Sequence, residues 1–349
     1  MKTIAFLNNK GGVGKTTLVY HLAWMFQELG VKVVAVDLDA QSNLSAAFLD
    51  DDRLAELWSS EKHPETILGV IDPLLEREGD IQPPHVEPIS DAIGLVTGDL
   101  RLNLFEERLA TSWISCLDDN SSNARDGLKV TTAFYRAIAQ AAAIQEAEIA
   151  LIDVAPNLGL INRAALIASD YVVVPLGADL FSIQGLRNLG PTLQKWREGW
   201  RNRKSRPSAA TIAPLPEGLM KPIGYVVMQP AVRKNYPVRA YQKWIERIPS
   251  IYSQTMLHNE EADHLSEIDA NPSPENDTHR LGILKHYRSL IPMSLEARKP
   301  IFQLKPADGA IGGHARAVRD CLDDFESLAR NIAAACGVEV PQRYRVTMA

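Results

Sequence analysis

The sequence predicts an α/β protein with a doubly wound, mostly parallel sheet and helices on both faces. Three observations predict it: short apolar runs that stop at polar or glycine-rich segments, helix-period stretches between them, and an N-terminal strand–turn–helix–strand unit. Thr3 to Leu7 is an apolar run rich in β-formers, closed by Asn8 to Gly14, the pattern of a buried parallel strand. From Lys15, apolar residues recur at Leu18, Val19, Leu22, Ala23, Phe26 and Leu29 with helical spacing, and Gly30 supplies the stop. Val31 to Val36 reads as a second buried strand that delivers Asp37 at its carboxyl end, completing a βαβ unit.

Further strands are expected at Ile93 to Thr97, Ile149 to Asp153, Tyr171 to Leu176 and Ile223 to Met228, each separated from the next by enough chain for a helix. The last helix is expected over His314 to Ala335, ended by Gly337. We read residues 1–349 as one domain carrying three additions, at about 50–88, 201–222 and 250–279. The third gathers Glu260, Glu261, Asp263, Glu267, Asp269, Glu275 and Asp277 among Asn, Pro and Ser, and reads as a solvated loop.

With 349 residues, 46% hydrophobic and 23% charged, the chain is neither disordered nor fibrous. A net charge of -6 restricts any nucleic-acid binding to a local basic patch. Cys116, Cys321 and Cys336 lie far apart and form no metal-binding spacing, which suits a reducing compartment. No apolar run reaches the ~18 residues of a membrane span. The apolar start is too short for a signal peptide, so a cytoplasmic location is expected.

Lys10-Gly-Gly-Val-Gly-Lys-Thr-Thr17 lies between the first strand and helix. Gly11, Gly12 and Gly14 let successive N–H groups turn inward around phosphate oxygens, and the helix N-terminus adds positive potential. Val13 and Thr17 complete the cradle, Lys15 reaches the terminal phosphates, and the Thr16 hydroxyl is placed to ligate Mg²⁺. The strict spacing asks for Gly at position 9, but the chain has Asn9 followed by an extra lysine, Lys10. This arrangement resembles the deviant Walker A motif of the ParA/MinD superfamily of P-loop ATPases, and is closest to its ParA-type partition and positioning members. The resemblance implies ATP and Mg²⁺ as cofactors and a homodimer formed on ATP. It also implies that Lys10 crosses to the partner's phosphates and neutralises charge there, as an arginine finger does.

Asp37-Leu-Asp-Ala-Gln-Ser-Asn43 resembles the family's D-x-D-P-Q switch segment, with Ala40 in place of Pro. Asp37 would then hold the Mg²⁺ water shell, and Asp39 would orient the attacking water. Ile149 to Gly159 resembles the Walker B segment, with Asp153 binding Mg²⁺ through water. Gln229, at the end of the Met228 strand, is the candidate for adenine recognition, and Pro292 lies in a segment resembling the one after the base pocket. The resemblance covers roughly 1–49, 93–189 and 222–228, and then 289 to the final helix.

Between Arg187 and Arg206, seven basic residues face one acid, Glu198. Trp196 and Trp200, four apart, are expected to pack inward and leave the arginines towards solvent. In ParA-type proteins such residues join across the ATP dimer into a non-sequence-specific DNA surface. The candidates here are Arg197, Arg201, Arg203, Lys204, Arg233, Lys234 and Arg298. DNA binding of that kind implies nucleoid association, an adaptor of ParB type that stimulates hydrolysis, and segregation of plasmid, chromosome or other cargo. A membrane cycle is not expected, because Gly337 to Ala349 contains Pro341 and shows no amphipathic face. Because the chain starts almost at its first strand, no N-terminal helix-turn-helix is expected. Iron–sulfur chemistry is not expected either, with Cys116 placed in an irregular stretch. Two alternatives remain at this stage: a regulatory or defence-type ATPase whose dimer signals to a protein, and a small-molecule kinase or ligase.

Overall fold

The computed structural model describes residues 1–212, 214–229, 238–257, 277–287 and 289–341. Strand β1 (Lys2–Phe6) leads through the glycine loop into α1 (Lys15–Glu28) and β2 (Val33–Leu38). Helices α2 (Asn43–Phe48), α3 (Asp51–Leu57) and α4 (Ile67–Leu75) precede β3 (Glu87–Pro88) and β4 (Ile93–Val96). Three helices follow, α5 (Phe105–Ser115), α6 (Ser121–Thr131) and α7 (Ala133–Gln145). The chain continues as β5 (Ile149–Val154), α8 (Leu160–Ile167), β6 (Tyr171–Gly177), α9 (Leu180–Lys204) and β7 (Lys221–Met228). Next come α10 (Val238–Ile245), α11 (Ile248–Tyr252), β8 (Arg280–Leu284), α12 (Leu290–Ala297) and α13 (Gly313–Cys336).

The strands form one sheet in the order β3-β4-β2-β5-β1-β6-β7-β8, with β3 antiparallel and every other pairing parallel. Strand β1 sits where the order reverses, with β5, β2 and β4 on one side and β6, β7 and β8 on the other. The crevice at that switch point, beyond the strands' carboxyl ends, is where such sheets bind ligands. Alternation along β1 divides the core. Ala5 and Leu7 join the layer under α4 to α9, while Ile4 and Phe6 join the layer under α1, α2 and α13. All six residues of β2 are buried, as a strand covered on both faces requires.

Both ends of β2 lie two residues later than expected, so Asp37 belongs to the strand itself. The final helix meets its expected stop, with Gly337 as a left-handed cap. Cys116 is not in an irregular stretch; it caps α5 and is fully buried. The presumed loop from Ser250 begins instead as buried helix, with Tyr252 fully enclosed and Met256 close behind, while residues 258–276 lie outside the described residues. Between 50 and 88, α4 packs Ile67, Leu68, Val70 and Ile71 into the core. Strand β8 had no expected counterpart, because Arg280-Leu-Gly-Ile-Leu284 is too short and mixed to announce itself. Among the described residues, no helix is long and apolar enough to cross a membrane.

Candidate functional site

The loop leaving β1 is held open by its own backbone. Gly14 caps α1 at φ 87°, a left-handed conformation that a side chain would strain, and no side chain bonds the helix's first N–H groups. Asn8 fixes the turn from inside: its Oδ1 accepts from Lys10 N at 2.8 Å and its amide donates to Pro175 O. Asn9, in place of the usual glycine, packs closely on α9: a Cβ at Gly185 would lie 2.3 Å from its Oδ1, so glycine there makes room for it. The result is a cavity of about 500 Å³, lined by residues 10 to 17 together with Asp39, Gln41, Asn43 and Pro156. That volume suits a nucleotide.

The carboxylates lie at matched heights on neighbouring strands, since Asp37 and Asp153 are register partners of β2 and β5. Both are fully buried. Burial, with Asp153 alongside, pushes Asp37 up to about 7 against the bonds that Ser45 N and Oγ donate to its Oδ2, each 2.8 Å. Burial likewise raises Asp153, opposed by Lys15, whose ammonium bonds Oδ1, and by Thr16, whose hydroxyl donates to Oδ2 at 2.7 Å. Asp39 lines the cavity, and its Oδ1 accepts from Gln41 N at 3.0 Å. This set of hard oxygens, with Asp37 lacking a cation beside it, fits Mg²⁺ with a phosphate.

The predicted loop residues, Asp37, Asp39 and Asp153 thus come together. Gln229 lines a smaller adjoining cavity with Met228, Tyr287, Ile291 and Phe325, and its N donates to Leu284 O at 2.9 Å. Pro292 is exposed and lines neither cavity, although its neighbour Ile291 lines both. Sequence reasoning missed Tyr20, His21, Ser294 and Leu295 in the main lining. For His21 the signal was a polar residue inside an apolar helix. Its Nε2 accepts from Ile301 N at 3.1 Å, so Nδ1 carries the proton and donates to Thr17 O at 2.7 Å. Burial lowers it to about 4, and it stacks on Phe325 with centroids 5.0 Å apart, tying α1 to the C-terminal helix.

Lys10 does not join the cluster around Asp153. Its ammonium pairs with Asp179 at 2.6 Å, with both side chains about one-third exposed, and lies 6.0 Å from the Phe181 ring centroid. Asp179 also caps α9, accepting from Ser182 N at 3.0 Å.

The basic strip differs from expectation. Trp196 and Trp200 do face inward, but Arg197 and Arg203 are also buried, at 8% and 7% exposure, and do not point to solvent. Arg203 donates to Trp113 O at 2.7 Å and Gly199 O at 2.8 Å, using its fork to satisfy backbone carbonyls. Arg201 is exposed, whereas Lys204 pairs with Glu217 at 2.7 Å. Arg298 donates to Leu49 O at 2.8 Å, away from α9. Arg233 and Lys234 lie outside the described residues.

The chain is similar to several known proteins. Protein IncC of Escherichia coli is 33% identical over 201 residues, 57% of this chain and 47% of its own, so the chain spans about half the length of that relative. The chromosome partitioning protein ParA of Myxococcus xanthus is 26% identical over 200 residues, 57% of this chain and 60% of its own. Among solved structures, a Corynebacterium diphtheriae protein superimposes with a TM-score of 0.62 at 22% identity, covering 96% of this chain and 99% of its own. The ATP complex of Cyanothece McdA gives 0.56 at 15% identity, covering 98% and 99%. An AAA domain family model, AAA_31, matches residues 1–204. The chain belongs to this AAA domain family, and its fold is that of the ParA-like P-loop NTPases.

Proposed function

We propose that the protein is a Mg²⁺-dependent ATPase of ParA type that dimerises on ATP, holds DNA without sequence preference in that state, and is reset by hydrolysis. The observation that carries the reading is the division of labour between two lysines. Lys15 is buried against Asp153 inside the cavity, whereas Lys10 stands at its rim on an ion pair about one-third exposed on each side. A rim lysine is suited to a second subunit's phosphates, and exposed Leu180 and Phe181 beside it supply apolar surface for such a contact. Thr16, Asp37 and Asp153 would hold the metal ion, which when bound neutralises charge between the phosphates. Loop N–H groups and Lys15 hold phosphate oxygens, Asp39 orients the attacking water from the cavity wall, and Lys10 offsets developing negative charge. Gln229, which lines the adjoining cavity, would meet the base.

On this reading the output is segregation or positioning of plasmid, chromosome or other cargo, aided by a ParB-type adaptor. The names of the partition-protein relatives support it. Exposed Arg201 and Arg298, with Arg233 and Lys234, are the remaining DNA candidates.

The test is Asp39→Ala, assayed for turnover, dimerisation and retention on random-sequence duplex with ATP, ADP or neither at two salt concentrations. Turnover is expected to fall at least about 100-fold while ATP binding stays. Duplex binding is expected to need ATP, weaken with salt and vanish in Lys10→Ala. An ATP dimer that ignores duplex at low salt would turn the assignment towards a protein partner.

A further inference from the structure

We propose that the groove between α5, α8 and α9 is a second binding site, for a phosphate group, built on Arg163, Arg203 and Lys195 around Trp113. It is separate from the nucleotide cavity, shares no lining residue with it, and stands whether or not the ATPase cycle above is correct.

Three observations carry the assignment. First, the groove encloses about 480 Å³ and holds three cations but no acid in its lining. The Arg203 guanidinium lies 3.6 Å from the Trp113 ring centroid and that of Arg163 lies 4.1 Å from it. Second, Arg163 is half-buried and its guanidinium has, among the described residues, no hydrogen bond or ion pair. The charge beside it is the like charge of Arg203, and burial together with that charge lowers Arg163 to about 10. A guanidinium taken partly out of water beside a like charge carries a cost that its contact with the Trp113 ring offsets only in part and that an anion would relieve. Third, the site is shaped for its aromatic platform. A Cβ at Gly199 would lie 2.9 Å from Trp113 Cζ2, so glycine there lets the ring lie against α9. Arg203 is fixed by its bonds to Trp113 O and Gly199 O.

Guanidinium groups held against an aromatic ring keep N–H donors for phosphate oxygens, here the whole fork of Arg163 and the remaining donors of Arg203, and a doubly charged oxyanion would quiet the Arg163–Arg203 repulsion. Lys195, exposed at the rim, adds a point charge. The phosphate could belong to a nucleic-acid backbone or to a free phosphate-bearing molecule, and one experiment separates these.

The full chain is saturated with ADP–Mg²⁺ to fill the phosphate loop, then titrated calorimetrically with tripolyphosphate and separately with a random-sequence duplex. Wild type is expected to bind tripolyphosphate at one site per chain, and Arg163→Gln to weaken this by about tenfold or more, as loss of a charge-assisted pair does. Lys195→Gln should weaken it less, and Lys221→Gln, outside the groove, should leave it unchanged. ADP binding by Arg163→Gln and an undiminished melting temperature would confirm its fold. Competition between duplex and tripolyphosphate, with duplex affinity falling equally in Arg163→Gln, assigns the site to a nucleic-acid backbone. Duplex indifference with tripolyphosphate loss assigns it to a free phosphate. Equal tripolyphosphate binding by wild type and Arg163→Gln, or none by wild type, overturns the proposal.

Discussion

The phosphate loop and the basic end of α9 both concentrate positive charge, and they settle it in opposite ways. At the loop, each lysine has a carboxylate: Lys15 bonds Asp153 in the interior, and Lys10 bonds Asp179 at the rim. Around Trp113, Arg203 bonds only backbone carbonyls and Arg163 has no anion at all among the described residues. The loop after β1 and the start of α1 carry the lysines past the carboxyl ends of β5 and β6, where Asp153 and Asp179 lie, so the rigid sheet brings cation and acid together. A helix that runs 25 residues across several neighbours instead has each basic side chain settled by whatever element lies beside it.

Removing the best-compensated cation should have the largest effect. Lys15→Ala takes away both the phosphate ligand and the partner of Asp153, so turnover should fall by about 100- to 1,000-fold. The melt should also report a loss of about 3 kcal/mol, because a buried carboxylate is left without its cation. Retention of turnover within a few-fold, read by phosphate release, would show that the loop does not work as described.

The paired carboxylates make a pH prediction of defined sign. Asp37 rises from its ordinary value to about 7 in the folded protein, so its favourable contribution is present below about 4 and is lost as pH climbs through 7. His21 is lowered to about 4, so its contribution is present above 6.5 and is lost as pH falls through 4. The two oppose each other between these limits. In metal-free buffer at pH 8, Asp37→Asn should therefore be more stable than wild type by about 2 kcal/mol. Its stability should then fall as the pH drops from 6.5 to 4, when His21 acts unopposed. A variant no more stable than wild type at pH 8 in chemical denaturation would refute the assignment.

Within the basic end, burial separates residues that look alike in sequence. Arg203→Ala loses two carbonyl bonds and a stacked ring, an expected cost of about 2 kcal/mol, whereas exposed Arg201→Ala should stay within about 0.5 kcal/mol. Equal effects in denaturant melts would erase the distinction drawn here.

These cases also show what was legible. The loop, Asp37, Asp39 and Asp153 were readable because glycines, lysines and acids at fixed offsets around buried strands have few other uses. Inward-facing Trp196 and Trp200 were readable from helical spacing, yet that spacing also suggested solvent for Arg197 and Arg203. Spacing could not reveal that α5 brings Trp113 over that face, since the contact joins residues ninety positions apart. His21 was illegible for the same reason, its second partner Ile301 lying 280 residues away. The buried start of the presumed acidic loop was hidden by its acidic neighbours, although Ile251, Tyr252 and Met256 carry the apolar signal.

The smallest expected stability effect is the most informative about the loop. The Lys10–Asp179 pair is one-third exposed on both sides, so screening leaves it worth under about 0.5 kcal/mol. Asp179→Asn removes the charge but keeps an oxygen able to accept from Ser182 N, so the cap of α9 survives and the melt should hardly move. Lys10, however, no longer has to leave a carboxylate before meeting a second subunit's phosphates. That release, one pair in each of two subunits, should strengthen ATP-dependent dimerisation by up to about fivefold in sedimentation, a ceiling set by the small energy of the pairs it replaces. Dimerisation unchanged by Asp179→Asn but lost in Lys10→Ala would mean that the lysine acts without restraint from Asp179. An effect of Asp179→Asn on the melt larger than on assembly would instead make the pair a fastening of α9 to the loop, and Lys10 would then resemble Lys15 more than its exposed position suggests.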